Sequence, residues 1–291
     1  MRLVTFEHRG EARVGVQSDN VVIDLRGAWG KDGGPATMLA LLSGGPAAIA
    51  RAREVAGAAP ASARLPLASV RLLAPIPRPP KMLCVGLNYR DHAEETGAAI
   101  PQVPIFFTKA PSCVIGPGAA IALPPESQQV DYEAEFAVVI GARCRRVTPE
   151  AARAAVAGYT IVNDVSARDW QFRTSQWFIG KTFDTFAPMG PALVTPDEVG
   201  DPHVLDVGLR LNGQEMQRSN TRHLIFGVFD LVAELSRVMT LEPGDVIATG
   251  TPGGVGFTRK PPVFLKPGDR VEITIAKLGT LANPASADGP A

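Results

Sequence analysis

The sequence predicts a mainly β protein of the α+β class, a roll or sandwich of short strands with peripheral helices. Apolar, β-favouring runs recur along the 291 residues and are separated by turns rich in Gly, Pro, Asn and Asp. Helical patterns are few and short, and they do not alternate with the strands as a doubly wound parallel sheet requires. We therefore expect strands to build the core and helices to cover its edges.

A small N-terminal domain is predicted for residues 1–75. Its first part contains three predicted strands, RLVTF, ARVGV and VVIDL, with turn sequences between them. The Ala- and Leu-rich stretch 36–58 predicts two short helices broken at SGGP. The segment 74–81, APIPRPPK, has four prolines in eight residues and cannot lie inside a helix or a central strand. We interpret it as the linker to a main domain over 76–291.

The main domain carries most of the strand signals. Asn212-Gly213 predicts a tight hairpin turn, and LEPGD at 241–245 and LKPGD at 265–269 each precede a strand. One long helix is predicted after a cap at Ser219 or Asn220. Its apolar stripe has steps of four and three residues: Leu224, Val228, Leu231, Leu235 and Val238. The predicted strands are MLCVG, PIFFTK, VDYEAEFAVVIG, YTIVNDVSA, VLDVGLRLNG, DVIATG and RVEITIA, and the final ASADGPA is expected to fray.

Composition excludes several classes of function. The 29 Lys and Arg balance 29 Asp and Glu without a block of like charge, so neither nucleic acid nor a membrane surface is expected as a partner. No apolar run approaches the roughly 20 residues of a membrane span. Three cysteines without CxxC spacing favour a reduced, cytoplasmic protein and disfavour structural zinc.

An unusual strand, VDYEAEFAVVIG, contains three acids two residues apart: Asp131, Glu133 and Glu135. In a strand they share one face, where repulsion at a half-buried site costs stability unless something neutralises it. A second strand that looks buried ends at Asp164. Three hard oxygen ligands, Glu133, Glu135 and Asp164, suit one divalent cation such as Mg²⁺ or Mn²⁺, with Ca²⁺ as a further option. The alternative is a solvated edge face, and Asp131 is expected to lie further along the strand towards solvent.

The stretch GLNYRDHAEETG, 86–97, follows a predicted strand and predicts a loop that opens a short helix. His92 and Glu95 are three residues apart and therefore share a helix face. A carboxylate in that position can orient an imidazole and strengthen it as a base. The alternative is a casual pair on the surface of a helix turn.

Two further segments carry polar side chains that suggest a binding site. Arg168 and Gln171 share a face if the chain turns helical there, although an ordinary capped turn has the same spacing. Lys181 lies in GKTFDTFAPMGP, a loop closed by Pro and Gly, and the alternative is a surface lysine. The glycines of ATGTPGGVG, 248–256, allow backbone to approach a ligand, and Thr251 offers a hydroxyl; the alternative is a flexible connection.

Taken in order, CVGLNYRDHAEETG, VDYEAEFAVVIG, GYTIVNDVSARDWQ, GKTFDTFAPMGP and TGTPGGVG resemble the fumarylacetoacetate hydrolase family, over residues 78–284. The resemblance implies a β-roll catalytic domain, a small N-terminal domain, one divalent cation, a homodimer and a small oxo-acid substrate. It implies no role for Asp131 or Asp91. The implied site has cation ligands at Glu133, Glu135 and Asp164, a water-activating pair at His92 and Glu95, an oxyanion-stabilising Lys181, and substrate contacts at Arg168, Gln171 and Thr251.

The reaction expected from this resemblance is hydrolysis of a C–C bond in a 2,4-dioxo acid of the acylpyruvate or fumarylacetoacetate type, within aromatic catabolism. The cation would polarise the 2-oxo group, and the retained His92 and Glu95 favour activation of water. Alternatives within the family are isomerisation of hydroxymuconate-type acids, decarboxylation of oxaloacetate-like acids and dehydration of sugar acids. A non-catalytic oxo-acid-binding protein is the alternative of a different class.

Overall fold

The computed structural model describes residues 1–30 and 33–288 and confirms the mainly β, α+β class. The strands are β1 (Arg2–His8), β2 (Glu11–Ser18), β3 (Val21–Asp24), β4 (Arg64–Pro66), β5 (Arg71–Leu73), β6 (Met82–Gly86), β7 (Ile105–Thr108), β8 (Val114–Ile115), β9 (Ile121–Leu123), β10 (Val130–Asp131), β11 (Ala134–Ile140), β12 (Val156–Asn163), β13 (Ser166–Ala167), β14 (Ala187–Val194), β15 (Asp206–Leu211), β16 (Gln214–Asn220), β17 (Val246–Ala248), β18 (Arg270–Ile275) and β19 (Gly279–Ala287). The helices are α1 (Leu25–Ala28), α2 (Met38–Ser43), α3 (Gly45–Gly57), α4 (Arg90–Thr96), α5 (Pro149–Ala155), α6 (Arg168–Gln171), α7 (Phe178–Lys181), α8 (Pro196–Val199) and α9 (Val228–Val238).

Most strands belong to one mixed sheet of 12 strands. Its order is β4-β3-β2-β1-β14-β12-β11-β17-β6-β7, with β5 paired to β1 and β8 paired to β14. A second sheet has the order β16-β15-β18-β19-β9, and β10 and β13 form a two-stranded ladder. The parallel pairs are β17 with β6, β14 with β8 and β19 with β9. The sheets are therefore largely antiparallel, which agrees with the lack of helical crossovers in the sequence.

The N-terminal strands extend the large sheet. The three predicted strands form β1 to β3, and the two helices predicted within 36–58 form α2 and α3. β1 pairs antiparallel with β14, with Arg2 opposite Val194. The proline-rich segment 74–81 contains neither helix nor strand, as predicted. The division into two domains stays a prediction, and the sheet is continuous from the N-terminal strands into the rest of the chain.

The centre of the large sheet is buried on both faces. All seven residues of β11 are buried, and so are all but one of β12. The long apolar runs in these strands predict this, because a strand covered on both sides has no solvent face with which to alternate. β11 pairs with β12 so that Ala134 lies opposite Asn163. This register brings the acids on either side of Ala134 close to the residue that follows Asn163.

The turn predictions are confirmed in the second half of the chain. Asn212 and Gly213 have positive φ angles of 53° and 81°, which a hairpin turn with two left-handed residues requires. LEPGD leads into β17, and LKPGD leads into β18. These local sequences therefore determine where three strands begin or end.

The predicted cap of the long helix is wrong. Ser219 and Asn220 lie in β16, and α9 begins only at Val228. The Asn220 side chain caps a short 3₁₀ turn over 221–223 instead. Leu224, which the apolar spacing placed in the helix, forms a β-bridge outside it. The apolar spacing continues by chance across a strand end and a turn, so it overestimates the length of the helix.

The last strand extends further than the sequence predicts. β19 runs to Ala287 and pairs with β9, so the start of the stretch expected to fray belongs to a sheet. The Asp288 amide also donates to the Leu123 carbonyl at 3.0 Å, and residues 289–291 lie outside the described residues. Among the described helices, none has the length and apolar character needed to cross a membrane.

Candidate metal and catalytic site

Three carboxylates meet at the end of the central strand pair. Glu135 lies in β11, Glu133 directly precedes this strand, and Asp164 directly follows β12. The Asp164 amide donates a hydrogen bond to the Glu133 carbonyl at 2.9 Å, which continues the strand pairing by one step. One oxygen from each carboxylate lies within 4.8 Å of the other two. All three residues are buried, which excludes the solvated edge face.

The expected position of Asp131 near solvent is wrong. The acidic stretch is not one strand, because β10 ends at Asp131, β11 begins at Ala134, and the two residues between them break the alternation. Asp131 is fully buried and accepts hydrogen bonds from the amides of Tyr132 and Gly256, both at 2.8 Å. The Asp131 carboxylate is hydrogen-bonded to protein groups and is separate from the three converging carboxylates.

Sequence reasoning missed Lys109, the last residue of the PIFFTK stretch. Its ammonium group is fully buried and donates to Asp164 Oδ1 at 2.5 Å and to the Val165 carbonyl at 3.0 Å. The available signal was a lysine directly after an apolar strand, where a charged side chain is rarely buried unless it is paired. Asp164, far along the chain, is the partner that this lysine requires.

Lys181 is also buried, which excludes the alternative of a surface lysine. It ends α7, and its ammonium group donates to Glu133 Oε2 at 2.8 Å and to Asp164 Oδ2 at 2.9 Å. Gly180 makes this position possible, because a Cβ atom there would lie 2.3 Å from the Gln171 amide nitrogen. Lys181 therefore bridges two of the three converging carboxylates.

Arg168 and Gln171 form the short helix α6 and share a face, as the spacing predicts. Arg168 Nη1 lies 2.7 Å from Glu133 Oε1 and donates to Gln171 Oε1 at 2.9 Å. Its Nε and Nη2 atoms both donate to Asp131 Oδ2. The guanidinium group thus joins Asp131 to the converging carboxylates, and a contact between Arg168 or Gln171 and substrate stays a prediction.

Burial and neighbouring charges determine the ionisation of the converging acids. Burial raises the pKa of Glu133, but Lys181 and Arg168 outweigh it and bring that pKa down to about 2. Burial, with the carboxylates of Asp164 and Glu133, raises the pKa of Glu135 well above its usual value. In the absence of a cation, Glu135 therefore keeps its proton to a higher pH than Glu133.

The raised pKa of Glu135 predicts a pH-dependent stability of the metal-free protein. Because the folded pKa lies above the unfolded one, the stabilising contribution is complete below the unfolded value of 4.5 and is lost as the pH rises through the folded value. We expect the melting temperature of EDTA-treated protein to fall, as the pH rises above 4.5, more steeply than that of Glu135→Gln, which cannot ionise at this position. Equal slopes for the two proteins would contradict this assignment.

His92 and Glu95 lie on α4, and the structure brings their side chains together. His92 Nδ1 lies 3.3 Å from Glu95 Oε2, and Glu95 Oε1 accepts from the Gly254 amide at 3.0 Å. Burial raises the pKa of Glu95, but hydrogen bonds, led by that with His92, hold it below its usual value. A proton on Nδ1, donated to Glu95, leaves Nε2 able to act as a base. The pair is anchored to the glycine-rich segment and is not a casual surface pair.

The glycine-rich segment 248–256 borders the site. The Gly250 amide donates to Glu135 Oε2 at 3.0 Å, so backbone contacts one of the converging carboxylates directly. The buried Thr251 hydroxyl donates to the Ala134 carbonyl at 3.0 Å. These bonds tie the segment to β11, which excludes a flexible connection, and a substrate contact by Thr251 stays a prediction.

Asp91, to which the family resemblance assigns no role, lies at the start of α4. Its carboxylate accepts hydrogen bonds from the Ser219 hydroxyl and, at 3.3 Å, from the Gly253 amide. It therefore joins α4 to β16 and to the glycine-rich segment, and it is not one of the converging carboxylates.

The converging carboxylates fit one divalent cation. Opposite oxygens around Mg²⁺, Mn²⁺ or Ca²⁺ lie about 4–5 Å apart, and the three carboxylate oxygens, all within 4.8 Å of one another, are close enough to share one such ion. With Asp131 the site has four buried carboxyl groups beside three buried basic groups, which are Lys109, Lys181 and Arg168. One carboxyl group therefore lacks a basic partner from the protein, and a cation can compensate its charge when it ionises. Carboxylate oxygens alone disfavour soft metals.

The chain is similar to known enzymes over nearly its whole length. The family model described as Fumarylacetoacetate (FAA) hydrolase C-terminal matches residues 81–285. The mitochondrial oxaloacetate tautomerase Fahd2a of Rattus norvegicus is 47% identical, with 97% of this chain and 91% of the relative covered.

Two solved structures illustrate the chemistry found on this fold. The 5-carboxymethyl-2-hydroxymuconate delta-isomerase from Mycobacterium smegmatis superposes with a TM-score of 0.79 at 37% identity, with 100% of both chains covered. The maleylpyruvate hydrolase from Sphingobium sp. SYK-6, in complex with manganese(II) ion and pyruvate, superposes with a TM-score of 0.82 at 32% identity. That comparison covers 99% of this chain and 100% of the hydrolase.

The expected cytoplasmic location is wrong. The similar oxaloacetate tautomerases of Rattus norvegicus, Bos taurus and Homo sapiens are mitochondrial by name. The expectation depended on free cysteines, which the structure contains at Cys84, Cys113 and Cys144. Free thiols indicate a reducing environment and do not distinguish one reducing compartment from another.

Proposed function

Because this chain belongs to the fumarylacetoacetate hydrolase family of enzymes, we propose that it interconverts the enol and keto forms of a 2-oxo dicarboxylic acid of the oxaloacetate class, with one divalent cation. The observation that carries this proposal is the 47% identity to an oxaloacetate tautomerase over 97% of the chain. The comparisons favour this isomerase chemistry over the C–C bond hydrolysis that the family resemblance first implied.

The cation would be held by Glu133, Glu135 and Asp164. When bound, a divalent cation supplies Lewis-acid polarisation of the 2-oxo group, which acidifies the hydrogens on C3. Keto–enol interconversion moves one proton between C3 and the 2-oxygen and breaks no C–C bond. It therefore requires a polarised carbonyl and a positioned base, but no attacking water.

His92 is the proposed base. Its Nδ1 contact with Glu95 leaves Nε2 to take the C3 proton and to return it in the reverse direction. The Glu95 carboxylate, by accepting from Nδ1, holds the imidazole ring in one orientation and keeps Nε2 directed away from Glu95. Substitution of His92 and Glu95 would leave polarisation of the carbonyl group intact and would remove only the base that transfers the proton.

Lys181 is the proposed hydrogen-bond donor to the 2-oxygen, and the proton that His92 takes from C3 is the one that the 2-oxygen finally receives. Burial lowers the pKa of Lys181, but Asp164 and Glu133 outweigh it and raise that pKa above its usual value, so the group is an ammonium ion at neutral pH. A fixed positive charge in a buried site stabilises negative charge as it develops on the oxygen. We further propose that the functional unit is a homodimer and that the rest of the small oxo acid is held by Arg168, Gln171 and Thr251.

Hydrolysis of a C–C bond is the second candidate function. The His92–Glu95 pair is equally suited to orient a water molecule, and a maleylpyruvate hydrolase is 32% identical to this chain. The two functions differ in what lies beside Nε2: the C3 hydrogen for tautomerisation, and a water molecule facing the distal carbonyl for hydrolysis.

A substrate panel separates these functions. Protein with Mn²⁺ is mixed with freshly dissolved enol oxaloacetate, acetylpyruvate or a hydroxymuconate-type acid, and absorbance and products are followed. We expect rapid loss of the oxaloacetate enol with complete recovery of oxaloacetate, abolished by EDTA and restored by Mn²⁺. Pyruvate and acetate from acetylpyruvate would favour the hydrolase, and CO₂ from oxaloacetate would favour a decarboxylase. Ligand binding without turnover of any compound would indicate a binding protein.

A further inference from the structure

Asp131 is a fully buried acid that the proposed chemistry does not use. Both of its oxygens are occupied by protein donors. The donors to Oδ1 are the amides of Tyr132 and Gly256, both at 2.8 Å, and the donors to Oδ2 are Arg168 Nε at 2.9 Å, Arg168 Nη2 at 2.8 Å and the Phe257 amide at 3.1 Å. This carboxylate is therefore committed to the protein and is not available to a cation.

Arg168 is held along one edge and on one face. Asp131 binds the Nε and Nη2 edge, and the Phe257 ring stacks on the guanidinium with its centroid 4.4 Å from Cζ. Nη1 extends the other way, to within 2.7 Å of Glu133 Oε1. A guanidinium group binds a carboxylate most strongly when two N–H groups face two oxygens. In the present geometry Arg168 directs both nitrogens of its Nε and Nη2 edge at one oxygen of Asp131, Oδ2, and only Nη1 at Glu133.

We propose that Asp131 is a positioning residue of the cation site. It binds the Nε and Nη2 edge of Arg168 and thereby keeps the guanidinium group from competing with the cation for Glu133. Without the Asp131 carboxylate, Arg168 is a buried positive charge whose nearby partner is Glu133. A bidentate pair with Glu133 would then oppose cation binding by charge and by occupying its oxygens. This inference rests on the proposed cation site, and the family resemblance does not imply it.

Asp131 also has structural contacts, whose effect must be distinguished from the positioning of Arg168. Asp131 also accepts from the amides of Gly256 and Phe257, so it fixes the end of the glycine-rich segment. A purely structural role would act through this segment and would not depend on Arg168. The two roles therefore differ in a double-mutant cycle.

The test is titration of metal-free protein with Mn²⁺ by calorimetry. We expect Asp131→Asn to weaken Mn²⁺ binding about 10- to 100-fold, as changes to groups that position metal ligands do. In an Arg168→Gln background the same substitution should change the affinity less than about threefold, because the competing guanidinium is absent. Asp169→Asn is the matched control: its carboxylate accepts from Ser127 and from its neighbour Trp170, and the substitution should leave Mn²⁺ affinity unchanged.

Wild-type affinity in D131N, or the same loss with and without Arg168, would overturn the proposal. If D131N does not fold, thermal unfolding of the double variant tests the proposal. Removal of the Arg168 charge, which D131N leaves without its carboxylate partner, should then restore a cooperative thermal transition. A double variant as unfolded as D131N would overturn the proposal. Failure of the wild-type protein to bind Mn²⁺ would overturn the cation site together with this inference, whereas the other outcomes contradict the inference alone.

Discussion

Glu135→Gln is expected to abolish tight divalent-cation binding and to lower kcat/KM for enol oxaloacetate by at least about 100-fold. The physical reason is that the three converging carboxylates differ in how many basic side chains already contact them. Glu133 and Asp164 each contact two basic side chains, whereas Glu135 accepts from the Gly250 amide. Glu135 therefore has the most capacity left for a cation, and an amide in its place keeps the shape while losing the charge.

The control for Glu135→Gln is Glu126→Gln, the same substitution at an exposed acid. It should leave both Mn²⁺ affinity and turnover at wild-type values. Thermal unfolding distinguishes a loss of cation binding from a loss of fold. Because the pKa of Glu135 is raised, the glutamine variant should melt no lower than metal-free wild type at neutral pH. Wild-type affinity and turnover in Glu135→Gln would remove Glu135 from the cation site.

His92→Gln is expected to lower kcat by about 100- to 10,000-fold while Mn²⁺ affinity stays at the wild-type value. Glutamine can still hydrogen-bond to Glu95, but it cannot take a proton from C3. Cation binding should persist because the hydrogen bonds of His92 are made within its own helix, with Glu95 and Thr96. Stopped-flow absorbance measures the rate, and calorimetry measures the affinity.

His223→Gln is the matched control for His92→Gln, because His223 is exposed at the end of a short 3₁₀ turn. It should retain wild-type turnover. A normal rate in His92→Gln would place the base on another residue. A loss of rate accompanied by an equal loss of Mn²⁺ affinity would show that His92 supports the cation site instead of transferring a proton.

The converging carboxylates could be predicted from sequence because their geometry depends on local patterns. Glu133 and Glu135 are two residues apart beside a long apolar run, and Asp164 ends a second run. Long apolar runs indicate central strands, and acids at their ends must be neutralised. The pairing of Ala134 with Asn163 completes the cluster, and only the structure determines that register.

Asp131 and Lys109 could not be placed in the same way, because their partners are distant in sequence. The alternation that put Asp131 towards solvent assumed one continuous strand, whereas β10 leaves the large sheet and pairs with β13. Lys109 pairs with an acid 55 residues away, and no spacing pattern reports such a contact. Burial of a charged side chain depends on a tertiary partner, which local sequence does not contain.

The reaction type could not be derived from the site residues, because one set of groups serves several reactions. Polarisation of a 2-oxo acid and a base at His92 suit tautomerisation, isomerisation and C–C bond hydrolysis alike. The first expectation took the retained His92–Glu95 pair as a sign of water activation. The high identity to an oxaloacetate tautomerase favours tautomerisation instead of hydrolysis. The same two residues can serve either reaction.

The most direct test of the central claim is a titration of metal-free protein with Mn²⁺ during which the enol–keto interconversion of oxaloacetate is measured at each point. We predict a rate that rises in proportion to added Mn²⁺ and levels at one equivalent per chain, because one cluster of three carboxylates converges within the described residues. Full activity before any cation is added, or no activity at any ratio of Mn²⁺ to protein, would contradict it.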